Sequence, residues 1–490
     1  MANRAWKYWV IASVLAAALC AAGSSIAQEQ AQPKAFNSAV AFEVYALVQN
    51  APRLDRVLVG RTPSVRPLTI PPCRWWCVKP LPPVDMEKVC QEVEAQRIPG
   101  LMLQENRDAY VGFPPDLLNR LGVQVTDASL VHLAGLTGLQ WLDLGFTHIT
   151  DAGLANISGL TALEYLDLQW TGVTDAGVAH LKGLKALEHL ILGGTQVTDA
   201  GIEHLKGLTA LRLLAVSDTQ VSDAGLQHLK GLTALEHLGL SGTKVTDAGV
   251  GHLEGLTALQ WVDLAGTKVT DVSLEHLEGL RELRWLWLSS TQVTDAGLVH
   301  LEGQTRLQEL SLSSTKLTDA GLVHLKGLAG LQWLNLDATK VTDMGLAQLK
   351  GLTALQKLHL VGTRVTDVGL EHLKGLTALQ ELYLGFTQVT DAGLVHLKGL
   401  TELHRLHLRG TKVADAGLNH LKGLTRLQEL DLADTKVTDA GLVHLKGLTQ
   451  LQHLDLPSTV TAAGVEQLKK SLPNVKVTQP LQSSITSQRG

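Results

Sequence analysis

Segments with regularly spaced leucines recur along most of the chain and predict a series of short strands. In the representative segment 235–256, Leu238 and Leu240 lie two positions apart, the spacing with which a strand presents one face to a core. Val250, Leu253 and Leu256 then lie three positions apart, which fits the apolar stripe of a short helix. The pattern therefore predicts a unit made of a strand, a turn, a short helix and a return loop.

An aspartate that returns at a fixed interval shows that this unit is an internal repeat. From Asp127 to Asp439 the interval is 24 residues without exception. The fourteen positions are Asp127, Asp151, Asp175, Asp199, Asp223, Asp247, Asp271, Asp295, Asp319, Asp343, Asp367, Asp391, Asp415 and Asp439. An unbroken register of this kind predicts a repeat architecture instead of several separate domains of ordinary size.

The turn between strand and helix carries residues that are typical of a helix start. Thr246 or Asp247 stands at the expected N-cap, where a side-chain oxygen accepts hydrogen bonds from free backbone N–H groups. An aspartate also suits the positive end of the helix dipole. We therefore predict a structural role for Asp247 and for its counterpart Asp151. Gly255 is expected to end the helix, because glycine enters the left-handed region at low cost.

Neighbouring units must stack to be stable. The leucines of one unit bury too little apolar surface to offset the ordering of its 24 residues, so each unit has to pack against the next. Neighbouring strands would pair edge to edge, and helices are wider than strands. The predicted fold is therefore an α/β repeat solenoid, with a curved parallel sheet on its concave side and short helices on its convex side.

The LxxLxL segments, each followed by a polar residue, resemble the leucine-rich repeat family over residues 101–478, with about 14 repeats plus end caps. The 24-residue length and the VTDAGLxxL element are similar to the cysteine-containing subclass, which includes bacterial exported proteins and the substrate-binding arms of F-box ligase adaptors. The resemblance implies recognition of a partner rather than catalysis. Where the family often carries Asn or Cys, this chain carries threonines such as Thr243 and Thr267, which we expect to form a structural ladder of hydroxyls between repeats.

The part of the chain that precedes the repeats argues against an F-box role. Residues 61–83 are rich in proline and show no pattern typical of a helical F-box-like domain. The first residues also have the features of an export signal, which does not fit an intracellular ligase adaptor. We therefore do not transfer the ligase-adaptor function to this chain.

The N-terminal residues 1–27 resemble a secretory signal peptide. Arg4 and Lys7 precede an apolar run over residues 10–22, and small residues before Gln28 predict cleavage after Ala27. The alternative is an uncleaved membrane anchor, but this run is shorter than the ~20 residues that span a bilayer. We expect an exported protein, periplasmic or extracellular, with no stable membrane insertion after cleavage.

Residues 28–100 are predicted to form a lead-in and cap with a proline-rich segment. Residues 42–50 suggest a helix, and the proline-rich stretch after it suggests an extended chain. Asp85 is placed to cap a second helix through about Gln96, and residues 101–103 are expected to form the first strand of the array. At the other end, residues 472–477 predict a last strand and residues 479–490 a disordered tail.

Three cysteines follow the predicted cleavage site in a setting expected to be oxidising. One disulfide among Cys73, Cys77 and Cys90, with one leftover thiol, is the simplest interpretation. A metal site is the alternative. Because these cysteines include no paired CxxC and no nearby histidine, they lack the usual ligand spacing, and we predict no metal.

The strand residues that alternate with the inward leucines are expected to line the concave face. Aromatic residues make up only 4% of the chain, yet six of the ten tryptophans fall on this predicted surface. Tryptophan, tyrosine and arginine dominate binding interfaces because they bury large areas and keep a polar group. The predicted ligand-binding residues are Trp141, Tyr165, Trp170, Trp261, Asp263, Trp285, Trp287, Trp333, Asn335, Tyr383 and Arg405.

Four of these tryptophans lie within four consecutive predicted strands and suggest the centre of the binding surface. They are Trp261, Trp285, Trp287 and Trp333. With strands roughly 5 Å apart, their rings would form one apolar patch beside Asp263 and Asn335. The alternative is that the rings cover neighbouring strand backbone and bind nothing.

Histidine offers a competing hypothesis, because twelve of the nineteen histidines occupy one repeat position on the predicted convex side. His252 and His276 are examples. A metal held by adjacent rings would need Zn–N bonds of ~2.1 Å, which is closer than the spacing between helices allows. We therefore interpret the column as packing between neighbouring helices.

Charge and motifs narrow the function further. The net charge of −5, with 42 basic and 47 acidic residues, indicates no nucleic-acid partner. We find no nucleophile elbow, phosphate loop, HExxH or dinucleotide motif, so we predict no enzyme and no cofactor. The predicted function is recognition of a protein or peptide on the concave face. A structural spacer of the cell envelope and a glycan-binding groove are the alternatives.

Overall fold

The computed structural model describes residues 34–36, 42–48, 55–62, 68–70, 76–80, 86–103 and 125–479. The predicted signal peptide and residues 480–490 of the predicted tail lie outside these residues. The chain divides into two compact units, Met1–Asp263 and Leu264–Gly490, called here the first and second units.

The first unit contains an N-terminal group of strands followed by repeat strands of three residues. They are β1 (Lys34–Phe36), β2 (Phe42–Val48), β3 (Asp55–Arg61), β4 (Leu68–Ile70), β5 (Trp76–Pro80), β6 (Gly100–Met102), β7 (Trp141–Asp143), β8 (Tyr165–Asp167), β9 (His189–Ile191), β10 (Leu213–Ala215), β11 (His237–Gly239) and β12 (Trp261–Asp263). Strand β2 pairs antiparallel with β3 and β5, and β1 pairs antiparallel with β4. Strand β5 pairs in parallel with β6, from which parallel pairing continues in chain order to β12.

The helix predicted over residues 42–50 is wrong. Residues 42–48 form β2, which pairs on both of its edges. Phe42 and Val44 lie two positions apart and are buried, so the period of a strand outweighs the helical pattern that the longer segment suggests. The predicted first strand at residues 101–103 is confirmed closely by β6, and the helix predicted to end near Gln96 is present as Met86–Ala95.

The second unit is a parallel sheet of nine strands in chain order. They are β13 (Trp285–Trp287), β14 (Glu309–Ser311), β15 (Trp333–Asn335), β16 (Lys357–His359), β17 (Glu381–Tyr383), β18 (Arg405–His407), β19 (Glu429–Asp431), β20 (His453–Asp455) and β21 (Lys476–Thr478). Each strand pairs with the next in the same register, so equivalent residues of successive repeats lie side by side. The last strand confirms the one predicted near the C-terminus.

Short helices follow the strands on the opposite side of each repeat. The α-helices are α1 (Met86–Ala95), α2 (Asp127–Leu130), α3 (Asp151–Leu154), α4 (Asp175–Ala179), α5 (Asp199–Glu203), α6 (Asp223–Leu226), α7 (Asp247–Val250), α8 (Asp271–Leu277), α9 (Asp343–Leu346), α10 (Asp367–Glu371), α11 (Asp415–Leu418) and α12 (Ala462–Lys469). The 3-10 helices are Val131–Leu133, Ala155–Ile157, His180–Gly183, Gln227–Leu229, Gly251–Leu253, Asp295–Leu301, Gly321–Leu325, Ala347–Gly351, Gly393–Leu397, Asn419–Leu421 and Gly441–Leu445. The predicted α/β repeat architecture is confirmed.

Leucines and valines fill the space between the strands and the helices of each repeat. Leu238 and Leu240 from one strand segment, and Val250 and Leu253 from the helix that follows, are completely buried. Because the same positions in neighbouring repeats carry the same residue types, the core continues from one repeat to the next within each unit. This burial fixes the side of each strand that faces away from the helices.

The repeated aspartates join successive repeats. Asp151 accepts a hydrogen bond from the backbone N–H of Thr174 at 2.8 Å and another from its hydroxyl at 2.6 Å. Asp343 makes the same two bonds to Thr366, at 2.7 and 2.6 Å. The threonine is the N-cap and the aspartate begins the helix, as Thr246 and Asp247 do at α7. The aspartate therefore acts chiefly on the next repeat, and we call this series the aspartate ladder.

The threonine ladder expected from the sequence is wrong in its direction. Thr243 donates its hydroxyl hydrogen to the carbonyl oxygen of Leu240 at 2.6 Å, and Thr267 donates in the same way to Leu264. These bonds close the turn after the strand within one repeat. Bonds between repeats come instead from the aspartates, from the paired strands and from side-chain pairs such as Arg212 and Glu236.

A glycine stands two residues after twelve of the fourteen aspartates and makes room for this ladder, whereas Ser129 and Ser273 occupy the position in the other two repeats. A Cβ atom on Gly369 would lie 2.4 Å from the Oδ1 atom of Asp343, and one on Gly177 would lie 2.3 Å from that of Asp151. Contacts this short do not occur between real atoms, so a Cβ at either glycine would force the carboxylate to shift. The glycine therefore leaves room for the aspartate of the preceding repeat, although the buried Ser273 shows that one repeat holds a small side chain at this position.

Candidate functional site

The first and third residues of each repeat strand point away from the leucine core and form what we call the strand face. The predicted binding residues on strands all occupy these positions, as the alternation required. Each unit therefore contributes a strand face, but the two differ in accessibility.

In the first unit the strand face is buried. Trp141 stacks on Tyr165 with ring centroids 4.8 Å apart, and Tyr165 lies 6.2 Å from the ring of His189. Trp141, Tyr165, Trp261 and Asp263 are each less than 5% exposed, so the expectation that they form an open surface is wrong.

His237 shows that this part of the first unit is shielded from solvent. Its side chain is completely buried on β11, and burial lowers the pKa of His237 to about 3. Nearby Arg212 acts in the same direction. The ring is therefore neutral at physiological pH, and the strand face here has the character of an interior.

In the second unit a row of rings crosses the strands, and we call it the aromatic stack. It consists of Trp287, Trp333, His359, Tyr383 and His407. Successive ring centroids are 6.1, 5.6, 4.1 and 4.4 Å apart, and the last two pairs are stacked nearly parallel. Trp287 is buried, whereas the other four rings are half-buried. The stack therefore presents ring edges at the surface from β15 to β18.

A charged cluster surrounds Glu381 on the same face. The Glu381 carboxylate lies 3.0 Å from the Lys357 Nζ atom and accepts a hydrogen bond from Arg405 at 3.2 Å. The Tyr383 hydroxyl donates to it at 2.9 Å. Burial alone would raise the pKa of Glu381, but Lys357 and Arg405 outweigh that effect and keep the pKa below its usual value. Glu381 is thus a buried carboxylate that fixes two cations and a phenol.

His407 extends this cluster toward β19. Its Nε2 atom lies 3.2 Å from Glu429 and its Nδ1 atom 3.7 Å from Asp431. Burial opposes protonation, but the two carboxylates prevail and raise the pKa of His407 to about 9. His407 is therefore a cation at neutral pH. Arg405 also reaches Glu429 at 3.2 Å, so the cluster is continuous from β16 to β19.

The proposed centre at four tryptophans is not an open patch. Trp261 belongs to the first unit and is buried, and Trp287 and Asn335 are each 4% exposed. Trp285 and Trp333 are half-buried. The accessible residues of the strand face lie later in the chain, around Tyr383 and Arg405. The sequence did not single out Glu381, although its place between cations 24 residues away on each side is a usable signal.

Comparison with known families agrees with this repeat geometry. One family model, described as a leucine rich repeat, matches residues 233–293 and 305–365, and a second of the same description matches residues 159–181 and 424–445. The matched segments coincide with the strand and helix units described above. The chain carries leucine-rich repeats.

Three solved structures can be aligned with this chain. The internalin InlF of Listeria monocytogenes aligns with a TM-score of 0.53 and 24% identity, covering 67% of this chain and 88% of its own. A leucine-rich repeat protein of Leptospira interrogans aligns with a TM-score of 0.48 and 19% identity over 80% of this chain and 98% of its own. The plant peptide hormone receptor RGFR1, solved in complex with RGF2, aligns with a TM-score of 0.41 and 13% identity, covering 72% of this chain and 77% of the receptor chain. No curated protein matched the chain.

The turns after the leucine-rich repeat strands carry a column of residues in the left-handed conformation. Several repeats use glycine there, but Phe146, Trp170 and Phe386 have φ values of 59°, 55° and 56°. Such a conformation costs a bulky residue roughly 1–2 kcal/mol. Trp170 and Phe386 are 40% and 58% exposed, and each ring lies against the glycine of the next repeat. Trp170, predicted to bind ligand, is thus an accessible aromatic side chain of the first unit.

The histidine column lies on the helix side of the leucine-rich repeats. His300 lies 3.2 Å from Glu278, and His324 lies 2.7 Å from Glu302, each reaching back to the preceding repeat. Within the described ranges, no group of three or more His, Cys, Asp or Glu side chains is placed to hold a metal ion. The arrangement fits packing between neighbouring repeats.

The N-terminal cysteines precede the leucine-rich repeats. Cys90 lies in α1 as a buried free thiol, and burial raises its pKa to about 12. Cys77 lies in β5, and Cys73 lies outside the described residues. The predicted disulfide stays a prediction. Among helices in the described part of the chain, none is long and apolar enough to cross a membrane.

Proposed function

We propose that this leucine-rich repeat chain is a non-catalytic scaffold that binds a protein or peptide on the strand face of the second unit, between β15 and β20. The observation that carries the proposal is the aromatic stack lying within the charged cluster on one accessible face. The repeat geometry is expected to make this face concave. We further propose that the protein acts after export, in the periplasm or outside the cell.

The side chains of this face are already fixed before a ligand arrives. Glu381 fixes Lys357, Tyr383 and Arg405, and the ring of Tyr383 is stacked between His359 and His407. Ordering long side chains is a main cost of association, and here the intramolecular contacts have met it already. Aromatic and arginine side chains in such a setting suit the centre of a protein interface.

The charges on this face favour recognition over catalysis. Lys357, Arg405 and His407 each lie against a carboxylate of a neighbouring strand. A general acid or base must exchange its proton readily near the working pH, whereas the pKa of His407 is raised to about 9 by these partners. Cations held in ion pairs position a ligand instead.

A capture experiment with matched variants tests the proposal. The full-length protein is immobilised, incubated with the cell-envelope fraction of its source organism, and the retained material is identified by mass spectrometry. Trp333→Ala and Phe386→Gly alter the strand face and the adjacent turn. Met344→Ala is the control, because Met344 is a large apolar residue on the helix side and is 73% exposed.

The expected result is a protein retained by the wild type and by Met344→Ala, and lost with both other variants while their melting temperatures stay within a few degrees of the wild type. Retention by all three variants would contradict binding at the strand face and favour the structural spacer. Retained material that survives complete protease digestion would favour a glycan ligand instead.

A further inference from the structure

The strand face of the second unit has two poles of opposite charge. From β16 to β18 the strand positions carry three cations and one carboxylate, namely Lys357, Arg405, His407 and Glu381. On β19 and β20 they carry three carboxylates, namely Glu429, Asp431 and Asp455. We call these the basic pole and the acidic pole.

The two poles meet at a defined line between β18 and β19. Arg405 and His407 each lie 3.2 Å from Glu429 across this line, so those charges partly neutralise each other. Lys357 lies on the far side of the basic pole, and Asp455 lies on the far side of the acidic pole. The charges near this line are paired, so the electrostatic potential is positive at the Lys357 end of the face and negative at the Asp455 end.

Each pole has charged groups that are accessible to a ligand, whereas Glu381 and Asp431 are buried. The side chains of Lys357, Arg405 and Glu429 are 36%, 45% and 33% exposed, and His453 beside Asp455 is exposed. Ring edges of the aromatic stack lie beside the basic pole at Tyr383. An occupant of this face therefore meets cations and aromatic rings first, and carboxylates one or two strands further along.

We infer that the ligand is an extended peptide segment with an acidic and a basic side chain three to five positions apart, and with an apolar side chain next to the acidic one. The inference rests on the proposed function and specifies its partner. The acidic side chain would face Lys357 and Arg405, the apolar one Tyr383, and the basic one Asp455.

The spacing follows from the geometry of the sheet. Parallel strands lie ~4.8 Å apart, so β17 and β20 are roughly 14 Å apart. An extended peptide advances ~3.3 Å per residue and covers that distance in about four residues. A ligand with charges of only one sign would satisfy one pole and leave the other against its own kind of charge.

A random 12-residue peptide display library provides the probe for this inference. The full-length protein is immobilised and the library is selected against the wild type, Asp455→Lys, Asp455→Asn and Glu371→Lys. Glu371→Lys makes the same charge change on the helix side, where Glu371 is well exposed and pairs with Lys374. Thermal melts check that each variant is folded, and Asp455→Asn serves if Asp455→Lys is not.

The wild type should enrich peptides with one acidic and one basic residue three to five positions apart by about fivefold over the unselected library, which is the scale of one exposed ion pair. Glu371→Lys should select the same pattern. Asp455→Lys should shift selection toward peptides with acidic residues alone, and Asp455→Asn should weaken the preference for the basic residue.

Three results would overturn the inference: no enriched peptide, enriched peptides without this charge pattern, or an unchanged pattern with the folded Asp455 variants. None of these results removes the proposed function, because that proposal is judged by the strand-face dependence of envelope capture. If capture depends on Trp333 while the library shows no charge pattern, only the inferred ligand chemistry fails.

Discussion

Ala414 interrupts the aspartate ladder at a position where neighbouring repeats carry threonine. Asp391 accepts the Ala414 backbone N–H at 2.7 Å, whereas Asp367 and Asp415 accept both an N–H and a hydroxyl from the threonines that follow them. The backbone of Ala414 has φ −130° and ψ −169°, close to the −121° and −171° of the N-cap Thr366. A threonine would therefore fit here without any backbone movement.

We expect Ala414→Thr to stabilise the second unit. The new hydroxyl would donate to the free Oδ2 position of Asp391, at about the 2.7 Å seen for Thr438 and Asp415. A hydrogen bond to a carboxylate contributes about 1.5–3 kcal/mol when buried, and replacing alanine by threonine at an N-cap contributes about 0.5–2 kcal/mol. Because this site is partly exposed, the expected gain is about 1–2 kcal/mol.

Hydrogen exchange measured by mass spectrometry localises the effect. A gain of this size should slow exchange in a peptide covering α11 by about fivefold to thirtyfold, provided that exchange there follows local opening. Thr390→Ala in the preceding repeat removes the same hydroxyl from Asp367 and should accelerate exchange by a similar factor. If Thr390→Ala has its effect and Ala414→Thr has none, the assumption that each ladder bond contributes independently is refuted.

Three further predictions follow from contacts in the second unit. Gly369→Ala should lower the free energy of unfolding by about 2 kcal/mol or more in the wild type. In an Asp343→Ala background the loss should be much smaller, because the clashing carboxylate is absent. Equal losses in urea unfolding would contradict the close approach of the two residues. Ala338→Gly should stabilise the protein by about 0.5–1 kcal/mol, because it removes an alanine from the left-handed conformation. Phe386→Gly should leave stability nearly unchanged, because it also removes the ring contact with the next repeat. Thermal melts that rank the two variants in the opposite order would refute this explanation. Because the pKa of His407 is raised, its charge stabilises the fold fully below pH 6.5, and this contribution is lost as the pH rises through about 9. The melting temperature should therefore fall over this pH interval by more in the wild type than in His407→Gln. Parallel pH profiles of the two proteins would show that His407 is not the group responsible.

The repeated part of the fold was predictable because one physical pattern recurs many times. Leu238 and Leu240 indicate the strand segment, Val250 and Leu253 the helix, and each repetition strengthens the interpretation. The N-terminal strands were not predictable in the same way. The segment from Phe42 occurs once, and its strand is stabilised by pairing with β3, the next strand in the chain, and with β5, which lies farther away in sequence. Local propensity does not contain that contact.

The accessibility of the candidate site was the least predictable property. Strand alternation correctly placed Trp141, Trp261 and Tyr383 on the strand face, because the period of two is a local property. Whether such a residue meets solvent depends on tertiary packing, and the structure buries Trp141 and Trp261 while leaving Tyr383 half-buried. The contact between Asp343 and Gly369 was unpredictable for the same reason: the motif shows both residues, but their close approach depends on how successive repeats pack.

The aspartate ladder also bears on how an array of this kind changes length. In the ladder before Asp439, donor and acceptor lie 23 residues apart, as Asp343 and Thr366 do, and the aspartates recur with the 24-residue period. Duplication or deletion of one whole repeat within the array therefore rebuilds the same pair of bonds at the new junction. A change of another length shifts this register, and the chain shows such a shift at its last ladder bond, where Asp439 and Thr461 are 22 residues apart. Tandem copying can thus lengthen or shorten the strand face in steps of one strand without a new kind of contact.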